Sequence, residues 1–175
     1  MKKIATAIVL ISSALSCQAL AVDGYKSVKF GASTKEVMSS GICSFSPADY
    51  GIKGVTALAC EDLPFGGDKV AASAFFIGDK FLRLGIETDV DKAIGLRDSL
   101  IKKYGQPSSM SPAQYFSALD TTPNTQAFIA FDSDTVFIRL DTDQQMNQSA
   151  TLIYTDPRYE KQLNAHQANA LSDDL

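Results

Sequence analysis

The side-chain period changes between Val70 and Gly105, and no other feature of this chain restricts its fold as much. Residues 70–77 and 81–87 are apolar runs of strand length with only Gly78, Asp79 and Lys80 between them, which is the spacing of an antiparallel hairpin. From Val90 the repeat lengthens. Val90, Ala93, Ile94, Leu100, Ile101 and Tyr104 fall three and four apart and line one face of a helix. Asp89 is placed to cap its start, Lys102 and Lys103 suit its negative end, Gly105 supplies a left-handed stop, and Pro107 forbids continuation. In the second strand Leu82, Leu84 and Ile86 share one face, expected to pack inward under the helix. Phe81, Arg83 and Glu87 share the other, expected to be partly wet.

The remaining segments extend this unit. Ser33 and Glu36 have the spacing of a capping box and Gly41 ends a helix of about two turns, too poor in apolar residues to hold itself. Residues 27–30 read as a short edge strand, 55–60 as a strand, and 61–69 as a loop carrying Phe65 and a Gly66-Gly67 turn. Beyond Pro107, residues 114–119 read as a strand. Residues 126–131 and 135–140 form a second hairpin rich in β-branched and aromatic side chains, and residues 150–155 a last strand. Asp156-Pro157 opens a polar terminal helix through about residue 171, with Tyr159, Leu163 and Ala170 as its apolar stripe and a frayed tail at 172–175. Runs of antiparallel strands separated by isolated helices define an α+β domain over residues 22–171, its helices on one face of the sheet. Its halves, 22–88 and 89–155, share the order helix, strand, hairpin.

Residues 1–21 have the pattern of a cleaved signal peptide: Lys2 and Lys3, an apolar stretch over 4–15, and Ala19-Leu20-Ala21 as the cleavage site. Export to the periplasm is therefore expected. The competing reading is a lipoprotein anchored at Cys17, but Ala14-Leu15-Ser16 lacks the branched aliphatic residue such signals place three positions upstream. The leader carries two lysines and no acid, so its removal takes the formal net charge from −4 to −6. Nucleic acid and anionic lipid, bound through clustered Lys and Arg, are disfavoured as partners, while a cationic protein is electrostatically acceptable. Cys43 and Cys60 remain after cleavage. In an oxidising compartment they are expected to form one disulfide, tying the end of the first helix to strand 55–60.

Catalytic signatures are sparse. The one histidine, His166, lies in the polar terminal helix and is read as an ordinary exposed residue; no Gly-x-Ser-x-Gly elbow occurs. The pairs Asp89/Asp91, Asp132/Asp134 and Asp141/Asp143 lack the central Gly and closing Glu of a calcium loop and read as turn and cap residues. No metal or other cofactor is expected. The candidates that remain for protein binding are Tyr50, Phe65, Phe81 and Arg83, residue types that anchor interfaces.

Residues 30–37, Phe-Gly-Ala-Ser-Thr-Lys-Glu-Val, followed by 75–84, Phe-Phe-Ile-Gly-Asp-Lys-Phe-Leu-Arg-Leu, resemble a plan of small exported bacterial proteins. In it a helix started by Gly-x-Ser/Thr precedes a hairpin turned at Gly-Asp/Asn-Lys, as in the outer-membrane-assembly lipoprotein BamE and the tandem-repeat β-lactamase inhibitory protein. The resemblance covers residues 30–87 and implies a binding module without chemistry of its own. The expectation is a periplasmic accessory module that binds another envelope protein. An inhibitor or immunity protein against a cationic toxin or wall hydrolase is the alternative, and a carboxylate-based hydrolase a third.

Overall fold

The computed structural model describes residues 21–173, with side chains through residue 168. The expected leader, apart from Ala21, and the end of the tail lie outside the described residues. Strands β1 (Gly24–Tyr25) and β2 (Val28–Lys29) make a small hairpin in place of a single edge strand, and α1 (Thr34–Ser39) follows. A meander is then built from β3 (Ser46–Ala48), β4 (Thr56–Phe65), β5 (Asp68–Ile77) and β6 (Lys80–Thr88). A 3-10 turn, Val90–Lys92, leads into α2 (Ala93–Tyr104). The second meander comprises β7 (Ser109–Met110), α3 (Ala113–Ala118), β8 (Thr125–Phe131), β9 (Val136–Thr142) and β10 (Gln148–Thr155); α4 (Tyr159–Asp173) closes the chain. The order β3-β4-β5-β6-β10-β9-β8-β7 makes one antiparallel sheet of eight strands, with the last strand of each meander paired at its centre. The α+β class expected from the pattern of strands and helices is the class observed.

Local chemistry explains most element ends. Ser33 and Glu36 complete the capping box, the Ser33 hydroxyl accepting from the Glu36 amide and the Glu36 carboxylate from the Ser33 amide at 2.7 Å. Asp79, in the turn between β5 and β6, accepts from the Thr34 amide at 2.9 Å and so fastens the front of α1 to the hairpin. Gly105 ends α2 at φ 87°, its amide donating to the Ile101 carbonyl. Asp89 makes no side-chain cap; its carboxylate pairs with Lys92 instead. Ile94, expected on the buried face of α2, is 67 % exposed, and the side chains that press on the sheet are Leu96, Leu100, Ile101 and Tyr104.

Four further expectations are corrected. Residues 61–69 are not loop: β4 runs to Phe65 and β5 begins at Asp68, joined by Gly66 and Gly67, both at positive φ, the backbone a two-residue hairpin turn demands. Residues 114–119 are helical. Pro112 suits the N-terminal boundary and Ala113, Gln114 and Ala118 favour helix, while β7 takes up the neighbouring edge of β8 only at Ser109 and Met110.

The third concerns Phe81. Phe75 pairs with Arg83 but Phe76 pairs with Phe81, so Leu82 is an extra residue that inverts the alternation. Phe81 therefore faces the main core with Leu84 and Ile86, in ring contact with Phe30 and Phe76, and its backbone is clasped by Gly31 and Ala32. Leu82 faces the opposite side.

The fourth concerns the helices, which do not all lie on one face of the sheet as expected, because that inversion divides them. Val37 of α1 and Leu100 of α2 join the main core with Leu58, Phe76 and Ile138, whereas Tyr159 and Leu163 of α4 pack on Ile77, Leu82 and Phe75 across the sheet. The two faces are covered unequally, since α4 covers only part of its side. Asp156 starts α4: its amide donates to the Leu82 carbonyl at 2.7 Å, and its carboxylate accepts from the Arg158 amide and guanidinium at 2.7–2.8 Å. The Arg158 side-chain hydrogen bond holds the Asp156 carboxyl below the usual aspartate value of 3.8, against the opposing effect of burial. A depressed folded pKa contributes stability that is full above the unfolded value and lost as pH falls through the folded one. The advantage of the wild-type chain over Asp156→Asn is thus expected to be full at about pH 6 and to shrink as pH drops below 3.8. Urea unfolding of both proteins across that range checks it.

Candidate functional site: the open face of the sheet

Pairing register places the side chains of the less covered face in rows. Ser73, Gly85, Ile153, Phe137 and Ala130 lie across β5, β6, β10, β9 and β8; Glu87, Thr151, Arg139 and Phe128 form the next row. The first row is shallow at Ser73 and Gly85, and Tyr50, Arg83 and Tyr159 stand around them. The result is a groove of about 370 Å³ bordered also by Arg139 and Thr151. A second hollow, about 240 Å³ and mostly apolar, adjoins it at Arg139 and is floored by Phe128, Ala130 and Phe137.

Arg83 is the fixed centre. Its guanidinium lies 3.8 Å from the Tyr159 ring centre and 5.9 Å from that of Phe137, its Nε donates to Thr155 Oγ1 at 3.1 Å, and its terminal nitrogen pairs with Glu160 at 2.5 Å. Burial pushes the Tyr159 phenol above its ordinary value, with the Arg83 charge opposing. Arg83 therefore joins α4 to the sheet and presents only part of itself to the groove. Tyr50 is more available. It is half exposed, its ring packs 5.4 Å from that of Phe75, and its hydroxyl is hydrogen-bonded to Ser73 Oγ. Phe128 is 37 % exposed on the neighbouring hollow.

Of the four sequence candidates, Tyr50 and Arg83 come together here. Phe81 is core. Phe65 lies on the other face, in a cleft of about 820 Å³ between α2 and β4–β5, floored by Val70, Leu96, Leu100 and Tyr154. Burial, then the neighbouring Tyr104 and Tyr25, push the Tyr154 phenol above its ordinary range. Acids rim this cleft, but Asp68 and Asp89 share Lys92 at 2.9 and 3.0 Å, which holds that ammonium well above the usual lysine value. His166 is exposed on α4 beside Gly54.

Cys43 and Cys60 are joined, their Cα atoms 6.2 Å apart, and the link fits an oxidising compartment. Asp62 stands beside them, its carboxylate accepting from the Ser44 amide and hydroxyl at 2.8 and 2.7 Å. Among the described residues no helix is long and apolar enough to cross a membrane.

Sequence reasoning missed Phe128, Phe137 and Arg139 as surface residues. The signal was present: residues 126–131 alternate, and Phe128 falls out of phase with Ala127, Ile129 and Phe131, which face the core.

Over 177 aligned residues, covering all of both chains, the sequence is 33 % identical to an uncharacterized protein of Haemophilus influenzae. A protein family described as an uncharacterised protein matches residues 25–174. No solved structure matches.

Proposed function

The chain belongs to that uncharacterised family, and from its own geometry we propose that it is a periplasmic accessory module that binds another envelope protein and carries no catalysis of its own. The observation that carries this reading is the open sheet face. Around a shallow groove stand the half-exposed Tyr50, from the loop after β3, and the partly exposed Arg83, Arg139, Phe128 and Phe137 of the sheet, and those residue types concentrate binding energy at protein interfaces. The leader pattern and the oxidised cysteine pair support the address. The exported-protein plan that residues 30–87 resemble supports the same reading.

The test uses the groove floor. A Cβ on Gly85 would meet Thr151 Cγ2 at 3.4 Å, an ordinary contact, so Gly85→Ala puts a methyl group on the groove floor without forcing the strand apart. Mature protein immobilised against envelope extract is expected to retain one stoichiometric partner. Gly85→Ala and Tyr50→Ala are each expected to bind it at least about tenfold more weakly, a loss of roughly 1.4 kcal/mol or more, with unchanged circular dichroism. Equal capture by both variants refutes the open face as the contact.

A second reading, an inhibitor of a cationic toxin or wall hydrolase, is favoured by the rim of Glu61, Asp68, Asp89 and Asp91 around the cleft on the helix side. Salt separates the two. Capture through that rim weakens steeply between low and high ionic strength, whereas capture through the aromatic face changes little.

A further inference from the structure

Among the described residues Val22 is the first whose side chain packs against the main core, and Ala21 before it is exposed. The Val22 nitrogen donates to Asp132 Oδ2 at 2.6 Å, across 110 residues of sequence. Asp132 sits in the turn between β8 and β9, where Asp132, Ser133 and Asp134 all have positive φ, at 53°, 55° and 64°, a run few residues other than glycine adopt. The same Oδ2 accepts from the buried Thr135 hydroxyl at 2.8 Å, which aims the carboxylate. Asp134 is committed elsewhere, to the Ser108 and Ser109 hydroxyls at 2.6 and 2.8 Å.

The step from exposed Ala21 to core-packed Val22 thus falls at the cleavage site read independently from Ala19-Leu20-Ala21. We infer that Val22 is the first residue of the exported protein and that Asp132 receives its freed α-ammonium, so that removal of the leader completes an ion pair the precursor makes only as an amide hydrogen bond. An endopeptidase hydrolyses the Ala21–Val22 amide with one water. The hydroxyl goes to the Ala21 carbonyl carbon and the water's other proton to the Val22 nitrogen; the new Ala21 carboxyl releases a proton and the amine takes one up, leaving an ammonium beside Asp132. An ammonium and a carboxylate in hydrogen-bond contact interact more strongly than an amide and a carboxylate do. Processing therefore tightens the fold at the first residue after the cut, fastening the β1–β2 hairpin to the second meander.

The test is a cycle of four proteins released from a removable N-terminal fusion: chains beginning at Val22 or at Ala21, each with and without Asp132→Asn. The Val22 chain is expected to melt above the Ala21 chain by on the order of 3 °C, and Asp132→Asn is expected to abolish that difference. No difference, or the same difference with Asp132→Asn, overturns the inference. Because Asp132→Asn also loosens the turn, a second measurement uses the unsubstituted chain: the Val22 amine should acylate several-fold more slowly in the native protein than in urea, and equal rates overturn it. N-terminal sequencing of protein recovered from the envelope should begin at Val22; any other first residue refutes the proposal.

Discussion

Opening the Cys43–Cys60 disulfide is expected to lower the thermal midpoint by roughly 6–12 °C, since a ring of this size contributes about 3 kcal/mol and each kcal/mol shifts a domain of this length by about 2–4 °C. Few buried side chains hold the helix just before the ring it closes. Within α1 only Val37 is buried, and the link ties the chain just beyond that helix to β4, while Asp79 ties the helix front to the hairpin. Scanning calorimetry of the oxidised protein, the reduced protein and the Cys43→Ala/Cys60→Ala variant checks this. The reduced wild type is the important control, because both sulfurs are buried and the double substitution also empties space. A midpoint unchanged by reduction shows that the leading helix is held by its other contacts alone.

The largest effect of a single substitution is expected at Phe81. Phe81→Ala removes a fully buried ring from between Phe30 and Phe76 and should cost about 3–5 kcal/mol, read as a lower urea midpoint with an unchanged slope. Tyr50→Ala, at a half-exposed ring, should cost roughly 1 kcal/mol or less. The contrast matters because interface composition alone puts both aromatics in one class. If Phe81→Ala were as mild as Tyr50→Ala, the bulge that turns Phe81 inward would be absent in solution, and Phe81 would return to the open face.

Much of the fold is legible in residues close together along the chain. The Ser33/Glu36 capping box, the Gly78-Asp79 turn, the Gly105 stop and the alternation of residues 126–131 each act over a few positions, and each does in the structure what its spacing implies. The disulfide is legible for a different reason: once the leader is set aside, no other cysteine competes. The candidate site was only half legible. Tyr50 and Arg83 were singled out by residue type, yet their meeting around Gly85 depends on the register of β5, β6 and β10, which no single segment carries.

By itself, then, the sequence determined many of the elements and several of their ends, the covalent link and the α+β class, because helix period, strand alternation, caps and turns are short-range physics. Tertiary structure alone decided which way the central strand faces, that α4 crosses to the far side, and that β6 meets β10. The physical reason lies in β6. Phe81, Leu82, Leu84 and Ile86 are all fully buried because the strand is covered on both sides, so its own apolar pattern does not distinguish the faces. One extra residue against β5 makes that choice, and pairing with a neighbour is where the information resides.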